Sequence, residues 1–144
     1  MKVRQLVQSP PTTVRSDQSV FEAVKSMEKA NVGAAAVVDG KKLVGVISER
    51  DVMVRVVGAK KDPAKTKVRT VMTKSVRTLR ADCGPEEAIS VMVENHIRHV
   101  VLVNRSRRVL GVASARDVFQ ARVDSLDDQV RTLEAFVGED GHGG

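Results

Sequence analysis

The chain of 144 residues contains one cysteine, no tryptophan, no tyrosine and three phenylalanines. Cys83, its one sulfhydryl, can close no disulfide within the chain and build no thiolate metal cluster. So few aromatics leave no platform for stacking the bases of a single-stranded nucleic acid. No apolar run approaches the roughly 18 residues of a membrane span, and Met1 to Val7 is too polar for a secretory signal core. A soluble, cytoplasmic protein without membrane contact is expected. His96 and His99 stand three apart, but no carboxylate sits beside them at ligand spacing, so no metal site is expected.

What the chain does contain is 42% apolar residues, enough for one domain or two small halves sharing a core. Lysine and arginine number 24 against 18 acidic residues, a net charge of +6 that favours anionic partners. Charge alone does not choose among nucleotides, membranes and nucleic acid, and nothing else in the chain supports binding to a nucleic-acid groove.

The strongest signal is internal repetition. A shift of 65 residues lays Lys2-Val3-Arg4 on Lys67-Val68-Arg69, Arg15 on Arg80, Asp17 on Asp82, Glu22-Ala23 on Glu87-Ala88 and Met27 on Met92. One extra residue enters the second copy at Asn104-Arg105-Ser106, after which Gly45 to Val52 aligns with Gly111 to Val118, identical at six of eight positions. Each copy reads β-α-β-β-α: an extended piece at Thr13-Val14 or Thr78-Leu79, an amphipathic helix, two apolar strands and a closing helix. Ser19 and Glu22 form a capping-box pattern ahead of Val20, Ala23, Val24, Met27 and Ala30. The counterpart starts at Pro85 and offers Ala88, Ile89, Met92 and Val93 to a core. Asp39-Gly40 signals a hairpin between Ala34 to Val38 and Leu43 to Ile47, and the second pair of strands is expected at Val100 to Val103 and Val109 to Ala113. The lysine-rich stretch Gly58 to Lys67 reads as a solvated connector. The expected divisions are therefore residues 1–62, 63–118 and a C-terminal helix with a flexible tail at 119–144.

The matched motif lies where a strand passes into a helix, and a helix N-terminus offers unpaired N–H groups and positive potential to a phosphate. Ser48 adds a hydroxyl and Arg50 a planar cation, while Asp51 can accept bonds from two ribose hydroxyls; Ser114, Arg116 and Asp117 repeat the set. The same Ser-x-x-Asp is also an ordinary helix cap that needs no ligand. The pattern by itself leaves both readings open.

The duplicated β-α-β-β-α order and the Gly-hydrophobic-x-Ser-x-x-Asp signature at 45 to 51 and 111 to 117 resemble a pair of CBS domains, a Bateman module, over nearly residues 1 to 120. That resemblance implies an α+β fold with a pseudo-two-fold axis and two clefts for adenosine-containing ligands: AMP, ADP, ATP, NAD or S-adenosylmethionine. It implies no catalysis and no prosthetic group. By position, Ser48 and Ser114 would meet phosphate, with Arg50 and Arg116 assisting, and Asp51 and Asp117 would meet ribose. The base would lie against Thr13, Val14, Gly33, Ala34 and Ala35 in one copy, and Thr78, Leu79, Arg98, His99 and Val100 in the other. Many family members carry proline where this chain has Ala36 and Val101. Gly33-Ala34 is small where Arg98-His99 is bulky and cationic, so unequal sites are expected, and one arginine per motif favours a monophosphate.

Beyond the second motif, Phe119, Val123, Leu126, Val130, Leu133 and Val137 repeat at alternating steps of four and three, a stripe that a partner or the module itself must cover. With the family resemblance this suggests a homodimer that reports ligand binding to a client protein. Fraying is expected from Gly138 to Gly144, with His142 in solvent. The competing readings are a dimerisation or docking module with vacant clefts and, less supported, a nucleic-acid binder. No nucleophile-base pair is visible, and Cys83 before Gly84-Pro85 reads as a helix-capping neighbour.

Overall fold

The computed structural model describes residues 2–143, with side chains through residue 138. A 3-10 turn at Val3–Leu6 precedes β1 (Thr13–Val14), α1 (Val20–Ala30), β2 (Ala34–Asp39), β3 (Lys42–Ser48) and α2 (Glu49–Val52), which widens into a π-helical turn at Met53–Val57. The second half repeats the order: α3 (Val68–Val71), β4 (Thr78–Arg80), α4 (Pro85–Asn95), β5 (His99–Val103), β6 (Val109–Ser114) and α5 (Ala115–Gly143). The boundary drawn at 118/119 falls inside α5. That helix also carries through 138–143, where fraying was expected, because each added residue brings a further backbone bond. The solvent position expected of His142 lies outside the described side chains.

Each half builds a three-stranded sheet, β1-β2-β3 or β4-β5-β6, with the first pair parallel and the second antiparallel. Thr13 stands opposite Ala36 and Thr78 opposite Val101, so the two repeats share a register. The sheets meet over Ala36, Val101 and Val103, flanked by Val38, Leu43, Val46 and Val112. Ala36 and Val101 are both fully buried here.

α1 starts at Ser19, whose hydroxyl accepts the Glu22 N–H at 3.1 Å. The second arm of the expected capping box does not form, because the Glu22 carboxylate takes the Gln18 amide instead. α1 buries Val20, Ala23 and Met27. α4 buries Pro85, Ala88 and Met92, but Val93 is exposed: it falls off the stripe that faces β5.

The connector is more than a solvated tether. The carbonyls of Pro63 and Thr66 accept the N–H groups of Phe21 and Val20 at 3.1 and 2.8 Å, closing the first turn of α1. Its lysines 60, 61, 65 and 67 remain exposed.

The leading segments are exchanged between halves. Val3, with no exposed surface, belongs to the core of the second half beside Cys83, Ala88, Met92, Val100 and Leu102, and its N–H donates to the Cys83 carbonyl at 3.1 Å. Conversely, Val68, Val71 and Met72 complete the core of the first half around Val14, Val20, Val37 and Ile47. The expected boundary at 62/63 therefore separates the chain in sequence but not in space.

Candidate functional site

Each exchanged segment must cross the motif strand of the half it joins, and a glycine marks each crossing. A Cβ on Gly111 would lie 2.6 Å from Val7 Cγ2, and one on Gly45 would lie 2.6 Å from Met72 Sδ and 2.9 Å from the Thr73 carbonyl oxygen. Glycine permits this close approach because it has no side chain.

Past Gly111, β6 gives way to α5. The Ser114 hydroxyl accepts the Asp117 N–H at 3.1 Å and lies 2.8 Å from Asp117 Oδ2, while the Ala115 N–H donates to the Arg98 carbonyl at 2.7 Å. Asp117 itself is exposed, and its Oδ1 carries no hydrogen bond among the described residues. It borders a cleft of about 220 Å³ whose other walls include Val7, Thr12, Val32, Ala34 and Gly111. This cleft joins the motif of the second repeat to the strand approaches of the first.

Of the residues expected in that cleft, Ala34 and Asp117 line it and Ser114 is bonded to Asp117. Thr13 and Val14 are replaced there by Pro11 and Thr12, because β1 begins at Thr13 and Val14 turns into the first core. Ala35 is fully buried. Gly33 packs behind, where its carbonyl accepts the Glu49 N–H at 2.9 Å. Arg116 is exposed and makes no ion pair among the described residues.

The first motif is tied differently. Asp51 is only 8% exposed. Its Oδ2 accepts the Ser48 N–H at 2.9 Å and lies 3.0 Å from the Ser48 hydroxyl, and Ser48 in return accepts the Asp51 N–H at 3.2 Å. Thr73 Oγ1 adds a bond to Asp51 Oδ1 at 3.2 Å, and Arg55 Nη1 stands 3.9 Å from the same oxygen. Thr73 is held there by a two-bond bridge to Val46, at 2.8 and 2.9 Å. Arg55, carried by the π-helical turn, also donates to the carbonyls of Val71 and Met72 at 2.9 and 3.1 Å. Neither Thr73 nor Arg55 was singled out by the sequence. At the matching place in the other half, Gln8 donates to the Ala30 carbonyl instead, so Asp117 keeps a free oxygen. Arg50 is exposed.

The remaining expected positions scatter. Val100 is buried, Leu79 packs on the second core, and the Arg98 side chain is exposed. Thr78 lines a separate cavity of about 680 Å³ with Lys41, Lys42, Lys74 and Arg107.

His99 takes the place that Ala34 has in the first repeat. It is half-buried, and its Nε2 comes within 3.6 Å of where a Cβ on Gly33 would sit. Burial pushes its pKa down, and Arg98 adds to this, against the opposing pull of Glu49, Asp117 and Asp51. The folded protein thus binds fewer protons at His99 than the unfolded chain. Its share of stability is intact above the ordinary histidine value of about 6.5 and is lost as pH falls from there through the lower folded value. Melting temperatures taken from about pH 7.5 down to about pH 5 are expected to fall less steeply for His99→Gln than for the parent chain. Parallel curves would show that His99 is not the titrating group.

Cys83 is buried, and its thiol is pushed up by that burial, with Glu87 and Asp82 adding to the effect. That is the reverse of an activated nucleophile.

Comparison with known proteins gives a consistent picture. The CBS domain matches the chain twice, over residues 3–58 and 68–124. Inosine-5'-monophosphate dehydrogenase of Methanocaldococcus jannaschii is 35% identical over 122 residues, which span 84% of this chain and 23% of that enzyme. Among solved structures, the CBS domain protein PAE2072 from Pyrobaculum aerophilum, complexed with AMP, has a TM-score of 0.73 and 28% identity, covering 81% of this chain and 89% of that one. The CBS domain pair of protein MJ0100, in complex with 5'-methylthioadenosine and S-adenosyl-L-methionine, has a TM-score of 0.76 and 28% identity, covering 87% of this chain and 98% of that one.

Proposed function

The chain belongs to the CBS domain family, with two copies of the domain, and on that footing we propose that it is a non-catalytic regulatory module that binds AMP or a related adenosine nucleotide. The observation that carries this reading is the free Asp117 oxygen at the edge of a cleft that Val7, Val32 and Ala34 share with Gln8, Thr12 and Asn31. A carboxylate so placed can accept from ribose hydroxyls through its open oxygen, with the negative charge strengthening each bond. Val32 and Ala34 offer a flat apolar contact to a base. A phosphate would lie toward the start of α5, within reach of the Ser114 hydroxyl and the Arg116 guanidinium. The adenosine ligands of PAE2072 and MJ0100 support the same class of ligand.

The two clefts are unequal in this reading. Both Asp51 oxygens already carry hydrogen bonds, from Ser48 and Thr73, so the cleft at Asp117 is the primary site. The protein acts in the cytoplasm as a homodimer whose arrangement responds to the ligand, and a client protein reads the change.

A second reading has its own support. The capping box at Ser48 and Asp51 is complete within the chain's own residues, as a purely structural module would require. Calorimetric titration of nucleotide-stripped protein with AMP, ADP, ATP, NAD, S-adenosylmethionine and GMP separates the two. Saturable binding of adenosine compounds with GMP excluded is the expected result. No heat with any of them would leave the dimerisation module as the better account.

A further inference from the structure

The distal half of α5 stands away from the rest of the molecule. Val118 and Ala121 are buried against the module, but every residue from Leu126 to Gly138 is exposed. An isolated helical stretch of this length is marginal in water, since helices shorter than about 12–15 residues gain too little to offset nucleation. The face opposite Val118 and Ala121 carries Phe119, Val123, Leu126, Val130, Leu133 and Val137, each between 42% and 64% exposed. So large an apolar stripe requires a partner.

The pattern says which partner. In heptad positions, Val123, Val130 and Val137 occupy a, and Phe119, Leu126 and Leu133 occupy d. β-Branched residues at a with leucine at d favour two parallel strands. The flanking charges agree. In a parallel pair, Arg122 at g faces Asp127 at e of the second copy, twice over, and Gln129 faces Glu134. In an antiparallel pair, Asp127 would face its own copy and Arg122 would lie beside Phe136. In the single chain Arg122 pairs with Glu86 of α4 at 2.7 Å, a contact that the Asp127 pairing would share or replace.

We propose that α5 pairs with α5 of a second copy as a parallel two-stranded coiled coil, which sets the second repeats of the two copies side by side. This rests on the homodimer in the reading above and is independent of the nucleotide. The pairing helices lie on the molecular two-fold axis, so each a and d residue meets its own counterpart.

Sedimentation equilibrium of the full chain against Val130→Asp/Leu133→Asp tests the interface. Both positions are exposed in the single chain, so circular dichroism should show the module still folded. The dimer dissociation constant is expected to rise about a hundredfold or more, as for a charge placed in an interface centre. Orientation is read by cross-linking under mild oxidation. Leu133→Cys alone is expected to form a disulfide-linked dimer, whereas an antiparallel pair would cross-link a mixture of Val123→Cys and Leu133→Cys chains. A parent chain that is monomeric would overturn both the homodimer and the coiled coil. A dimer unaffected by the aspartates would overturn the α5 seam alone, and selective cross-linking of the mixture would overturn its parallel sense.

Discussion

Asp117→Ala is expected to weaken AMP binding by about thirtyfold or more, while Asp51→Ala leaves that affinity within a few-fold and instead destabilises the fold. The two aspartates occupy equivalent places in the repeat, but the structure gives them different work. Asp117 is exposed at its cleft and, among the described residues, is held by Ser114 alone. In the proposed site its loss removes charge-assisted bonds to a ribose, each worth about 1.5–3 kcal/mol, and each 1.4 kcal/mol is tenfold in affinity. Asp51 is bonded to Ser48 and Thr73 and sits near Arg55, so its removal uncaps α2 and releases Thr73. That loss should amount to about 2–3 kcal/mol, which lowers the melting temperature by about 5–10 °C for a chain of this size. Calorimetric titration with AMP and thermal melting of both variants check the pair. Equal losses of affinity would show that the clefts are equivalent and that the bonds around Asp51 open to admit ligand.

The glycines predict a second contrast. Gly45→Ala and Gly111→Ala are each expected to destabilise the protein by about 2–4 kcal/mol, and Gly111→Ala to weaken ligand binding as well. At Gly45 the added methyl meets the Thr73 carbonyl, a backbone atom fixed by the Val46 bridge, as well as Met72 Sδ. Relief requires the bridge to open, which also draws Thr73 away from Asp51. At Gly111 the obstacle is Val7, whose Cβ would lie 2.7 Å from the added methyl and moves only with its backbone, so the leading segment that borders the cleft must shift. That substitution should therefore change ligand affinity as well as stability. Urea unfolding followed by circular dichroism, with AMP titration of both variants, checks the pair, and equal AMP affinities for the two variants would refute the distinction.

Much of this was legible in the residues. The 65-residue shift found both motifs, and short apolar runs bounded by turns placed the four long strands to within a residue or so at each end, because those signals are local. Ser19 and Pro85 marked the helix starts correctly. What local pattern does not carry is which half a segment packs against. Val3 and Val68 each look like the first residue of their own repeat, yet each is buried in the other. The cleft inherits that difficulty: Asp117 faces Thr12 and Val32 from the opposite repeat. Thr73 was missed because its bond to Asp51 spans 22 residues and follows from the crossing over Gly45. Unequal sites were expected from His99 and Arg98, whereas the different bonding of Asp51 and Asp117 depends on Thr73 and Arg55, which no spacing rule selects.

The exchanged leading segments also bear on how the chain is made. During synthesis the first repeat is complete as sequence well before it is complete as a core, because Val68 and Val71 have yet to emerge. Val3, meanwhile, is finished first and must wait for Cys83, Ala88 and Leu102 before it is covered. A repeat chain of this kind is therefore staggered in its closing: the first core can settle only once Met72 has followed its own repeat out of the ribosome, and the segment holding Val3 stays uncovered until the second half is made.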